Sequence, residues 1–160
     1  MKPRRIFIAI NLAESAKKKL LTHQTRWPEL PARWTKPENL HITLNFIGNV
    51  SDKELENMKE KVRKDVGKQK PFVIKLSRIA YGPPDSQPRM IWAIGEEGQH
   101  VTLARLREWE FRKIDPEERP EINEKINIEV PVNSIEIMES KLKRGGAEYS
   151  TLQSFTLGEA

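Results

Sequence analysis

Arg5 to Asn11 alternates, with Ile6, Ile8 and Ile10 on one side and Phe7 and Ala9 on the other, the period-two signature of a half-buried strand. Glu14 to Gln24 reads as a helix, polar at its start, with Leu20 and Leu21 as its apolar contribution. Three prolines between Trp27 and Asn39 make that stretch loop, with a short extended piece at Arg33 to Thr35. Leu40 to Phe46 alternates strictly: Leu40, Ile42, Leu44 and Phe46 face one way, and His41, Thr43 and Asn45 the other. Ser51 caps a helix running to about Val66, with Glu54 completing a capping box and Leu55, Met58 and Val62 as its inner stripe. Pro71 to Tyr81 is β-rich and ends in a GPPD turn; Met90 to Ile94 and His100 to Leu106 are two further strands. Arg107 to Lys125, charged and broken by Pro116 and Pro120, is loop with a helical turn or two. Ile126 to Val132, Ser134 to Lys141 and Thr151 to Leu157 close the chain as strands, with Gly145 and Gly146 in the last hairpin. This interleaving predicts an α+β fold with largely antiparallel sheets and helices on the outer faces, and no linker divides residues 1–160 into separate domains.

The pattern repeats. Arg5-Ile6-Phe7-Ile8-Ala9-Ile10 resembles Arg89-Met90-Ile91-Trp92-Ala93-Ile94, and each is followed by a His-apolar-Thr-Leu frame, His41-Ile42-Thr43-Leu44 and His100-Val101-Thr102-Leu103. Two of the three histidines therefore occupy the same frame. One copy would be an ordinary strand with a histidine on its wet face; two copies, each beside a similar strand, point to duplicated half-domains related by a pseudo-two-fold axis. In a strand, residues i and i+2 share a face, so each copy presents an imidazole beside a hydroxyl. Four such groups suit a phosphodiester. A neutral imidazole takes a proton from water, an imidazolium gives one to the departing oxygen, and the hydroxyls donate to the non-bridging oxygens.

Composition narrows the chemistry further. The 160 residues carry 28 Lys plus Arg against 23 Asp plus Glu, a formal charge of +5 that suits a phosphate-bearing ligand. With no cysteine, disulfides, thiolate nucleophiles and every Cys-based metal site are excluded. His-x-Thr is poor metal spacing, so neither metal nor cofactor is expected. The basic, briefly apolar start reads as a first strand rather than a leader, and no run approaches the ~20 apolar residues of a membrane span. A monomer in the cytoplasm, away from membranes, is the expectation.

With these motifs in place, the sequence resembles the two-histidine phosphoesterases, specifically the RNA 2',3'-cyclic phosphodiesterases formerly called 2'-5' RNA ligases. The likeness is carried by RIFIAINL, RWTKPENLHITLNFIGNV, RMIWAIG, HVTLAR and the tail IEIMESKLKRGGAEYSTLQSFTL. It implies a bilobal fold around a water-filled cleft. It also implies hydrolysis of terminal 2',3'-cyclic phosphates to 2'-phosphomonoesters without ATP or metal, and a reversible 2'-5' joining of tRNA halves by the same chemistry. The implied partners are RNA with 2',3'-cyclic phosphate ends, tRNA halves among them, or cyclic nucleotides. By analogy His41 is the acid and His100 the base, although the symmetry of the repeat leaves their order open. Thr43, Thr102 and Arg105 fall on the family's phosphate-binding positions. Strict alternation puts Arg105 on the Val101/Leu103 side, so it reaches the site only if the strand twists or ends there. Phe7, on the Ala9 face, is either a stacking surface for a base or ribose or a core aromatic. Trp92, on the Met90/Ile94 side, reads as core, His23 as a solvated helical side chain, and Trp34, Tyr81 and Tyr149 as rim candidates.

The chain departs from the family pattern in its second half. Thirty-five positions separate Ile6 from His41, but nine separate Ile91 from His100, with Gln99 where the family has proline. A helix has been lost there. Either Gly95 to Gln99 closes a hairpin directly, or a segment has been left out. Two other readings follow from the loss: a non-catalytic RNA-end or nucleotide binder with a degraded second lobe, or a dimerising domain whose bare second sheet needs a partner.

Overall fold

The computed structural model describes residues 3–158. Nine strands and three α-helices follow in the order β1 (Arg4–Asn11), α1 (Glu14–Leu21), β2 (Ala32–Trp34), β3 (His41–Val50), α2 (Asp52–Gly67), β4 (Phe72–Gly82), β5 (Met90–Gly95), β6 (His100–Leu106), α3 (Glu108–Arg112), β7 (Asn123–Val132), β8 (Ser134–Lys143) and β9 (Gly146–Thr156). The chain divides into two compact units: Met1–Asn11, His41–Val73 and Pro131–Ala160 form one, Leu12–Leu40 and Ile74–Val130 the other. The fold is α+β, with the antiparallel sheets expected from the alternation.

In the first unit the strands run in the order β3-β1-β8-β9, every neighbouring pair antiparallel. Ile6 and Ile10 of β1, Ile42 of β3 and Ile137 of β8 are fully buried, each contributing about 1.5–3 kcal/mol of hydrophobic stabilisation. Helix α2 packs on β9 and buries Leu55, Val62 and Val66; Ser51 and Glu54 make the predicted capping box. The alternation of β3 fails past Thr43. Ile8 pairs with Asn45 and Ala9 with Thr43, so Leu44 is an extra residue bulged out of the ladder, and a second shift follows before Gly48. Leu44 and Phe46, expected inside, are 43% and 54% exposed, and the Arg5 guanidinium lies 5.4 Å over the Phe46 ring.

In the second unit the order is β7-β4-β5-β6, with β2 added on β6. Strands β5 and β6 are joined by a tight turn in which Gly95 N donates to Gln99 O at 2.6 Å and Gly98 N to Gly95 O at 3.1 Å. The short interval folds as a hairpin with Ile94 opposite His100. Among the described residues the apolar side chains of these strands are covered within the chain: Ile79, Ile91, Ala93, Val101 and Leu103 are all fully buried, which removes the motive for dimerisation through them. Tyr81 anchors the following loop, its hydroxyl donating to Pro120 O at 2.7 Å, and burial pushes its phenol up to about 12. Among the described residues no helix is long and apolar enough to cross a membrane.

Candidate active site: two half-sites

Each unit carries one His-x-Thr strand paired with the strand that precedes it in the repeat, so the duplicated sequence is a duplicated piece of sheet. In the first unit Asn11 lies opposite His41 and Ala9 opposite Thr43. His41 Nε2 and Thr43 Oγ1 are 3.0 Å apart, as expected of i and i+2 on one face. The imidazole is boxed by aromatics. Phe7 stands 5.2 Å away at 40°, and Tyr149 meets the ring edge-on at 5.1 Å and 85°. Phe7 is only 3% exposed and packs with Ala9, Met138 and Tyr149. Its ring therefore packs beside His41 rather than offering a free face to a base. Tyr149, half-buried above it, is the aromatic that solvent reaches.

The same face holds a buried carboxylate that the sequence reading did not single out. Glu136, opposite Ala9 on β8, accepts hydrogen bonds from Ser134 Oγ and Ser154 Oγ, both at 2.7 Å, and from Asn11 N at 3.1 Å. Three donors offset its desolvation and fix the end of β1 opposite His41. No sequence signal marked it, since alternation in Ile135-Glu136-Ile137 puts Glu136 on the face opposite the two isoleucines.

In the second unit Trp92 lies opposite Thr102 and Ile94 opposite His100. Opposite residues share a face, so Trp92, Ile94, His100 and Thr102 all project together. This corrects the reading of Trp92 as core. Its indole stacks on the His100 imidazole, ring centroids 3.8 Å apart and planes 16° from parallel. The repeat had matched Trp92 to Ile8, but by register Trp92 stands opposite Thr102 as Ala9 stands opposite Thr43, one residue along. Burial holds the His100 imidazole below its ordinary value, because the charged form is the one desolvation penalises.

Arg105 is brought to the His100 face by a bulge. Trp92 pairs with Thr102 but Ile91 with Ala104, so Leu103 is an extra residue in β6 and the alternation reverses after it. Leu103 and Ala104 are consecutively buried, and Arg105, exposed, lies opposite Met90 on the side of Trp92 and Thr102. Arg33 of β2, also exposed, stands directly opposite Arg105, a second cation that the sequence reading passed over. The third histidine belongs to neither half-site. His23 is not solvated: its Nδ1 faces Glu124 at 3.6 Å, and Arg26 pairs with the same carboxylate.

Residues 10–92 match the family described as LigT-like phosphoesterase. Among proteins named RNA 2',3'-cyclic phosphodiesterase, that of Thermus thermophilus is 26% identical over 96% of this chain and 90% of its own length. That of Aquifex aeolicus is 23% identical over 81% of this chain and 84% of its own length. Of solved structures, that of TT0787 from Thermus thermophilus is 25% identical and superposes with a TM-score of 0.83, covering 98% of this chain and all of that one. E. coli LigT complexed with 3'-AMP, 18% identical, shares the fold with a TM-score of 0.75 over 98% of this chain and 99% of that one.

Proposed function

The chain belongs to the LigT-like phosphoesterases, and from that premise we propose that it hydrolyses RNA 2',3'-cyclic phosphate termini to 2'-phosphomonoesters, without a metal, by paired histidine acid–base catalysis. The observation that carries this reading is the recurrence, once in each unit, of an imidazole and a hydroxyl on one strand face, with the two imidazoles in unlike surroundings. Unlike surroundings are what acid–base catalysis by two chemically identical groups requires.

His100, kept neutral by burial, accepts a proton from the attacking water as its oxygen bonds to phosphorus. His41, as the imidazolium, donates a proton to the 3' oxygen as the P–O3' bond breaks, leaving the phosphate on the 2' oxygen. Thr43 and Thr102 donate to the non-bridging oxygens, and the Arg105 guanidinium offsets the charge that accumulates on them. With a 5' ribose hydroxyl in place of water, the same displacement joins ends 2'-5' as the P–O3' bond breaks. The substrate class follows from the relatives' name and from the 3'-AMP bound to E. coli LigT: RNA ends, or small cyclic nucleotides, carrying a 2',3'-cyclic phosphate.

The test is a product assay on an oligonucleotide with a 2',3'-cyclic phosphate end, in EDTA. A 2'-phosphomonoester is expected, with kcat reduced ~10²–10⁴-fold in His41→Ala and again in His100→Ala. A metal requirement, or turnover surviving both substitutions, sinks the reading.

A further inference from the structure

We propose that Trp92 is the positioning residue of His100, a fixed aromatic platform that sets the plane of the imidazole and leaves its nitrogen-bearing edges to the substrate. The inference rests on the proposed role of His100 as base and adds to it a residue outside the His-x-Thr frame. Trp92 lies on β5, where the ladder puts Gly82 of β4 diagonally to one side and His100 of β6 diagonally to the other. The indole is therefore held between the two strands. Its contact with His100 is face to face, at 3.8 Å and 16°. On the Gly82 side the approach is so close that a Cβ there would clash with the indole Cδ2. Glycine at 82 is a requirement of the stack.

The arrangement carries a cost that packing alone does not explain. The Trp92 indole N–H is buried with no acceptor among the described residues. A Phe or Leu at this position would fill the sheet without it, whereas the flat face of the indole is what covers the imidazole. At His41 the neighbours Tyr149 and Phe7 meet the ring edge-on and tilted. A ring laid over one imidazole face also keeps water from it, which suits the histidine that must stay neutral.

The test uses Trp92→Leu, Trp92→Phe and Gly82→Ala in the full chain, with the ring-proton resonances of the three histidines and steady-state kinetics as readouts. His100, identified by its loss in His100→Gln, is expected upfield in the unsubstituted protein because the indole ring current shields it. The shift should vanish in Trp92→Leu and survive in part in Trp92→Phe. In Trp92→Leu, kcat should fall ~10²-fold, the cost of a misplacement near 1 Å. KM should stay within a factor of about two, since the interaction acts on the chemical step. Trp92→Phe should recover most of the loss. Gly82→Ala keeps the indole but displaces it, and should move both the resonance and kcat toward the Trp92→Leu values. A His100 resonance indifferent to Trp92→Leu overturns the proposal, as does a melting temperature that falls while kcat stays put. Absence of turnover in the unsubstituted protein would instead sink the catalytic reading, and the resonances would still decide whether the platform exists.

Discussion

At His100 the deciding term is desolvation, and its sign can be followed through to two measurements. Burial lowers the folded-state value below the ordinary 6.5, so the imidazole stays neutral and able to accept a proton to a lower pH than a free histidine would. The acidic limb of kcat/KM is therefore expected below 6.5. In the same window the unfolded chain binds the proton first, so stability falls as the pH drops from the ordinary value through the folded one and is unaffected above it. Melting curves from neutral to mildly acidic pH should show this loss, and His100→Asn should flatten it. An acidic limb at or above the ordinary value would mean that the base is another group. The sequence showed that His100 and Thr102 share a face, because that depends only on the two-residue period of a strand. It could not show what lies beneath the imidazole, because Trp92 reaches it through the pairing of β5 with β6.

Among the elements, α2 is the one whose ends were legible before any tertiary contact was known. Ser51 Oγ accepts from Glu54 N and the Glu54 carboxylate accepts from Ser51 N, both at 3.1 Å, all within four consecutive residues. The hydrogen bond from the Ser51 backbone holds the exposed Glu54 carboxyl below its ordinary value, so this part of the cap is lost as acid protonates it. Ser51→Ala should destabilise the protein by about 1 kcal/mol in urea unfolding at neutral pH. No change would show that α2 is held by its contact with β9 alone. Strands β3 and β6 teach the opposite lesson. Each begins with the predicted alternation and loses it at a bulge, Leu44 in one and Leu103 in the other. The first puts Leu44 and Phe46 at the surface; the second turns Arg105 toward Thr102. A bulge is a mismatch between two strands, and neither strand's own pattern announces it.

For the molecule as a whole, the +5 charge matters where cations gather without acids to neutralise them. Arg33 opposite Arg105 is such a place: like charges directly opposed across a ladder cost stability, and neither makes a salt bridge among the described residues. If both meet phosphates, removing one should shrink the salt dependence of binding to a cyclic-phosphate oligonucleotide. For a single strand the log–log slope changes by about 0.7 per phosphate contact. Arg33→Gln is expected to lose that much slope while melting no lower than the unsubstituted protein; an unchanged slope removes Arg33 from the RNA contact. Most of the fold class, the strand that bears each histidine and the partner hydroxyl of each follow from local periodicity and one internal repeat, since a two-residue period and a capping box involve only neighbours in the chain. The tertiary structure alone decided which aromatic supports His100, that Phe7 is buried, that Glu136 gathers three donors and that Arg105 lies on the face of Thr102. Each of these depends on register between strands distant in sequence, and a shift of one residue there exchanges one face of a strand for the other.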